Sequence, residues 1–111
     1  MISDLFAEML ECMGHCVCAI ATTEDDAVLA AGQHELDLMI VDARLREGSG
    51  VVALDRISRH KSIRHMFVSG DAASLRAAKP HAVILQKPFR EADLALGIER
   101  TMQAPQPELT L

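Results

Sequence analysis

Apolar positions along this chain follow two alternating rhythms. From Ser3 to Met13 the residues Leu5, Phe6, Met9, Leu10 and Met13 recur at intervals of three and four, which predicts an amphipathic helix stopped by Gly14. Cys16 to Ala21 (CVCAIA) is then short, apolar and bounded by Gly14 and a polar cluster, so a strand buried on both faces is expected. Thr23 offers a hydroxyl N-cap with Asp26 three residues on. Glu24, Asp25 and Asp26 sit at the positive end of the helix that follows, which runs to about Gly32.

The same alternation continues to the end of the chain. Leu36 to Val41 is an apolar run ending in Asp42, followed by a loop, Ala43 to Gly50, that contains two glycines and a serine. A helix over about Val51 to Arg59 places Val51, Leu54 and Ile57 on one side, and Ile63 to Val68 forms a strand closed by Ser69-Gly70-Asp71. Ala72 to Ala78 is a short helix, Ala82 to Leu85 a strand, Lys87-Pro88 a break, and Glu91 to Met102 a final helix with Leu94, Ile98 and Met102 in register. Pro105 and Pro107 make residues 104–111 a flexible tail, leaving residues 1–103 as a single domain. Strands alternating with helices at this spacing imply βαβ crossovers and an open parallel sheet with helices on both faces.

Composition narrows the function. At 111 residues there is room for one core, which can bury roughly two thirds of the unfolded chain's surface. Three Phe and no Trp or Tyr leave almost nothing for stacking on bases, and a net charge of −5 without a basic run gives no nucleic-acid footprint. No apolar stretch is long enough to span a bilayer and the first ten residues lack signal-peptide character, so a cytoplasmic protein is expected. Cys12, Cys16 and Cys18, beside His15, have no CxxC spacing and no second pair, so they read as reduced, buried thiols and not as a zinc site.

In open α/β sheets the chemistry lies outside the carboxyl ends of the strands. Asp42, Ser69 and Lys87 each follow a predicted strand at that end: an acid, a hydroxyl and an amine in register on three successive strands. The five His residues fall in no comparable arrangement, and the Met residues at helical spacing read as core.

The run Leu38-Met39-Ile40-Val41-Asp42-Ala43-Arg44-Leu45 with Gly48-Ser49-Gly50, the run Phe67-Val68-Ser69-Gly70 and the triplet Lys87-Pro88-Phe89 together resemble the response-regulator receiver domains of two-component signalling. The resemblance covers Met1 to about Gln103 and implies a flavodoxin-like (CheY-like) fold. It implies that Asp42 takes a phosphoryl group from a histidine kinase or phosphotransfer protein, that Ser69 donates its hydroxyl to a phosphoryl oxygen, and that Lys87 pairs with the phosphoryl group. Mg²⁺ would be held by Asp42, by the backbone carbonyl of Arg44 and by an acidic pair after the family's first strand. Such a protein is a stand-alone signalling switch and not an enzyme in the usual sense, although it catalyses its own phosphoryl transfer.

The chain departs from the family in two places. It starts past the position of the first strand and its acidic pair, and Asp4 falls within the first helical turn. Because the first strand lies between the second and third in the family's sheet, a gap is expected. Either its two walls close on each other, or a second chain fills it, or the chain is a truncated product. Ile84, three residues before Lys87, stands where receivers often carry a switching aromatic. The alternative function is therefore a degenerate, unphosphorylated receiver that binds a protein or forms a homodimer, through the gap or through the face of the fourth helix and fifth strand. A flavin-binding enzyme is a distant third, given the scarcity of aromatics.

Overall fold

The structure, a computed structural model, describes residues 4–45 and 48–103. In chain order its elements are α1 (Asp4–Cys12), α2 (Glu24–Gln33), β1 (Met39–Asp42), α3 (Gly50–Ser58), β2 (His65–Ser69), α4 (Ala72–Ala78), β3 (Ile84–Gln86) and α5 (Glu91–Gln103). The three strands form one parallel sheet in the order β1-β2-β3, with Val41 opposite Phe67 and Val68 opposite Leu85. The expected tail, residues 104–111, lies outside the described residues.

Alternation along β2 explains how helices come to cover both faces. Successive strand side chains point to opposite sides. Met66 and Val68 join Leu85 beneath α1 and α5, packing on Leu10, Leu94 and Ile98. Phe67, between them, points the other way and packs on Leu54 of α3 and Leu75 of α4, with Val41 and Ile84 alongside. Met66, Phe67 and Leu94 are the largest fully buried side chains. A smaller cluster of Ala31, Ile57 and Ile63 pins α2 to α3. The Lys61 ammonium closes the end of α2 by donating to the carbonyls of Ala31 and His34, both at 2.9 Å.

One predicted element is absent. Residues 15–22 form neither helix nor strand, so the buried strand expected over Cys16–Ala21 is not there. Val17 packs toward the α1–α5 core, but Cys16, Cys18 and Ile20 are exposed. The three thiols expected to be buried are all on the surface. A strand is stable only when its backbone groups are paired, and an apolar run cannot supply that pairing by itself. Among the described residues only β2 pairs with β1. Between β1 and the 16–21 segment lies a groove of about 330 Å³, lined chiefly by apolar residues such as Val17, Leu38, Ile40, Ala53 and Ile57. The walls of the expected gap have not closed on each other.

Candidate functional site

Asp42 is the last residue of β1, Ser69 the last of β2, and Lys87 the first after β3, so the sheet delivers all three to one end. Asp42 is 7% exposed, which for a carboxylate demands partners. It has them: the Lys87 ammonium donates to Oδ2 at 2.6 Å and the Arg44 backbone N–H donates to Oδ1 at 3.1 Å. Burial pushes the Asp42 carboxyl up, but hydrogen bonds, led by that from Lys87, outweigh it and hold the group below its ordinary value. Lys87 is half open to solvent, with 42% of its side chain exposed, so the pair can be reached from outside.

Ser69 stands one strand away. Its carbonyl accepts the Lys87 backbone N–H at 2.8 Å, and its hydroxyl accepts the Asp71 N–H at 3.0 Å. A serine oxygen in that position keeps its own proton free to donate elsewhere. Ser69 is not the cap of α4. The cap is Asp71, whose carboxylate accepts the Ser74 N–H at 3.2 Å and the Ser74 hydroxyl at 2.8 Å. Ile84 is half-buried against the Phe67 cluster.

The loop after Asp42 is closed on itself. Arg44 and Ser49 face each other in an antiparallel bridge, and the Gly50 N–H donates to the Ala43 carbonyl at 3.2 Å. The Ser49 hydroxyl caps α3 by accepting from Val51 N–H at 3.1 Å. Gly50 presses on the backbone of the acid itself: a Cβ there would run into the Asp42 carbonyl oxygen. Only glycine permits that approach.

Two residues of the site were not singled out by sequence reasoning. Glu24, at the start of α2, reaches across to the Ser49 N–H at 3.2 Å and to Arg56 at 3.2 Å. Gln86 ties the other two loops together: its amide accepts from Ala72 N–H at 2.9 Å and donates to the carbonyls of Gly70 and Lys87, each at 2.8 Å. Neither carries a local signal, since each meets its partners only through the fold. Among the described residues, no group of three or more His, Cys, Asp or Glu side chains gathers as a metal site. No helix among them is long and apolar enough to cross a membrane.

An acid, a hydroxyl and an amine at the carboxyl edge of a parallel sheet define the class: an α/β module with a buried carboxylate beside a half-exposed positive charge. The chain belongs to the response regulator receiver domain family, whose model matches residues 1–99. Its fold is similar to that of the receiver domain of PhyR from Erythrobacter litoralis, with a TM-score of 0.81 at 22% identity over 94% of this chain and 85% of that one. It is also similar to the receiver domain of NtrX from Brucella abortus, with a TM-score of 0.77 at 26% identity over 92% of this chain and 90% of that one. A third similar structure is the receiver domain of a Pseudomonas aeruginosa sensor histidine kinase, solved with magnesium in its active-site cleft. Its TM-score is 0.76 at 20% identity over 90% of this chain and 87% of that one. No curated protein matches the chain at a significant level.

Proposed function

We propose that this chain is a phosphoacceptor switch in two-component signalling, with Asp42 taking a phosphoryl group from a histidine kinase or phosphotransfer protein and the output passing by protein contact. The observation that carries this reading is the 2.6 Å pair between Lys87 and the buried Asp42 carboxylate at the sheet's carboxyl edge. A carboxylate oxygen of Asp42 attacks phosphorus and an acyl phosphate forms. The bond from phosphorus to the donor's nitrogen breaks, with the electron pair and then a proton going to the departing imidazole. Lys87, just past the end of β3, exchanges its carboxylate partner for a phosphoryl oxygen, and the Ser69 hydroxyl donates to another.

Magnesium suits the donors present. Asp42 and the Arg44 carbonyl are hard oxygen ligands, and Mg²⁺ commonly keeps several waters and a phosphate oxygen beside one or two protein oxygens. Those two residues would hold it, and the ion would neutralise charge on the phosphoryl group. With Asp42 and the Arg44 carbonyl as its ligands among the described residues, its affinity is expected to be weak.

Acetyl phosphate, with and without Mg²⁺, followed by intact mass, tests the reading alongside an Asp42→Asn control. One added phosphoryl group, absent in the control, supports it; no gain in either protein removes it.

A second reading is favoured by one observation, the apolar groove beside the edge of β1 that no strand among the described residues pairs with. In this reading the domain binds a partner or a second copy of itself by strand addition, without phosphorylation. The α4 and β3 face is the other surface open to self-association. Sedimentation across a range of protein concentrations reads self-association directly, and a monomer throughout removes the dimer.

A further inference from the structure

We propose that Glu24 is a positioning residue of this site, holding the loop after Asp42 in the closed form that presents Arg44; the inference rests on the phosphoacceptor reading of Asp42. A carboxylate in the first turn of α2 would be explained by the helix's positive end alone, as Asp25 is. The two side chains behave differently. Asp25 is 89% exposed and, among the described residues, pairs with Arg56, whereas Glu24 is 25% exposed and turned inward onto the loop. There its Oε2 accepts the backbone N–H of Ser49, 25 positions along the chain.

Ser49 is where the loop closes. It faces Arg44 across the antiparallel bridge, and its hydroxyl starts α3. Arg44 in turn donates its N–H to the Asp42 carboxylate. Three contacts therefore run from Glu24 to Asp42, by way of the Ser49 amide and then Arg44. Gly48 shows how closely the carboxylate is fitted: it has φ +89°, and a Cβ on it would run into Glu24 Oε2 and lie 2.9 Å from the Glu24 Cβ. The loop makes room for this acid. Arg56 of α3 holds the other oxygen, so α2, the loop and α3 meet on one side chain.

If Glu24 is removed, the Ser49 N–H turns to water and the bridge between Ser49 and Arg44 opens more often, taking the Arg44 amide and carbonyl with it. Reach and charge can be separated. Glu24→Asp keeps the charge at the start of α2 but is one methylene too short for Ser49. Glu24→Gln loses the charge but keeps an acceptor oxygen at the right distance. Amide exchange followed by NMR on the full chain reads the loop directly, with Phe67 and Val68 in β2 reporting global stability. Ser49 and Gly50 are expected to exchange at least about tenfold faster in Glu24→Asp and Glu24→Ala, and within about threefold of wild type in Glu24→Gln. In acetyl phosphate labelling, Glu24→Asp and Glu24→Ala are expected to need several-fold more Mg²⁺ for half-maximal rate, with Glu24→Gln recovering most of the loss. Unchanged Ser49 exchange in Glu24→Asp, or an order that follows charge instead of reach, overturns the proposal. So does faster exchange with an unaltered Mg²⁺ dependence. A wild-type chain that takes no phosphoryl group would instead count against Asp42 as phosphoacceptor, and the exchange pattern would still decide whether Glu24 holds the loop.

Discussion

The Lys87 ammonium and the Asp42 carboxylate meet at 2.6 Å although 45 positions separate them in the chain. The pairing joins a buried carboxylate to an ammonium held at the surface by the end of β3. Lys87→Ala would remove the hydrogen bond that does most to lower the Asp42 carboxyl. A loss of about 1–2 kcal/mol is expected, below the full cost of breaking a buried pair because Lys87 is half exposed. Labelling of Asp42 should fall about 100-fold, the low end for removing one fixed charge from a transferring group. Thermal melts and mass-detected labelling check the two figures separately.

The pH dependence follows from the lowered Asp42 carboxyl. A depressed folded-state value means that ionised Asp42 stabilises the fold above the ordinary value of 3.8, and that this contribution disappears as pH falls through the lower folded value. The stability of wild type relative to Asp42→Asn should therefore be constant from neutral pH to about 5, and should shrink on further acidification. Denaturant midpoints for both proteins between neutral pH and pH of about 3 would show it; parallel curves throughout would contradict it.

Gly50 has no room for a side chain. Gly50→Ala sets a methyl against the backbone carbonyl of Asp42, where no flexible side chain can yield, so about 3 kcal/mol of destabilisation is expected, at the upper end for overpacking. The same substitution should perturb the Asp42 and Ala43 amide resonances ahead of any other part of the sheet.

Gln86 makes three hydrogen bonds that join the loop after Ser69 to the turn at Lys87. Gln86→Ala should cost only about 1 kcal/mol, because its partners lie near water. Its clearer signature is local: the Ala72 amide should exchange faster while Val68, in the core of β2, keeps its protection. Equal protection of Ala72 in the two proteins would show that the tie is dispensable.

Leu94 is fully buried between α5 and the sheet. Leu94→Ala removes a side chain that rigid strands cannot replace, and 2–5 kcal/mol is expected to be lost, roughly. Circular dichroism melts read this directly. Leu96, 47% exposed two positions on, should tolerate the same change with little effect.

The element order was legible in the sequence because the signals are local. Helical spacing of Leu94 and Ile98, the hydroxyl of Thr23 accepting from the Asp26 N–H at 3.1 Å, and glycines at turns act over three or four residues. Alternation of strands and helices then placed Asp42, Ser69 and Lys87 at one edge, since parallel strands joined by helices all present the same end.

What the tertiary structure decided is everything that needs a distant partner. Cys16–Ala21 has the composition of a strand but no ladder, and its thiols are exposed as a result. Asp71, not Ser69, caps α4, because the backbone turn between them puts the Ser69 oxygen onto the Asp71 N–H. Glu24 reads in the chain as one of three acids at a helix start, and only the packing of α2 on α3 brings it to Ser49. Periodicity, capping and turn chemistry are properties of neighbouring residues and are written in their order. Strand pairing and side-chain contacts between elements depend on which surfaces the whole fold brings together.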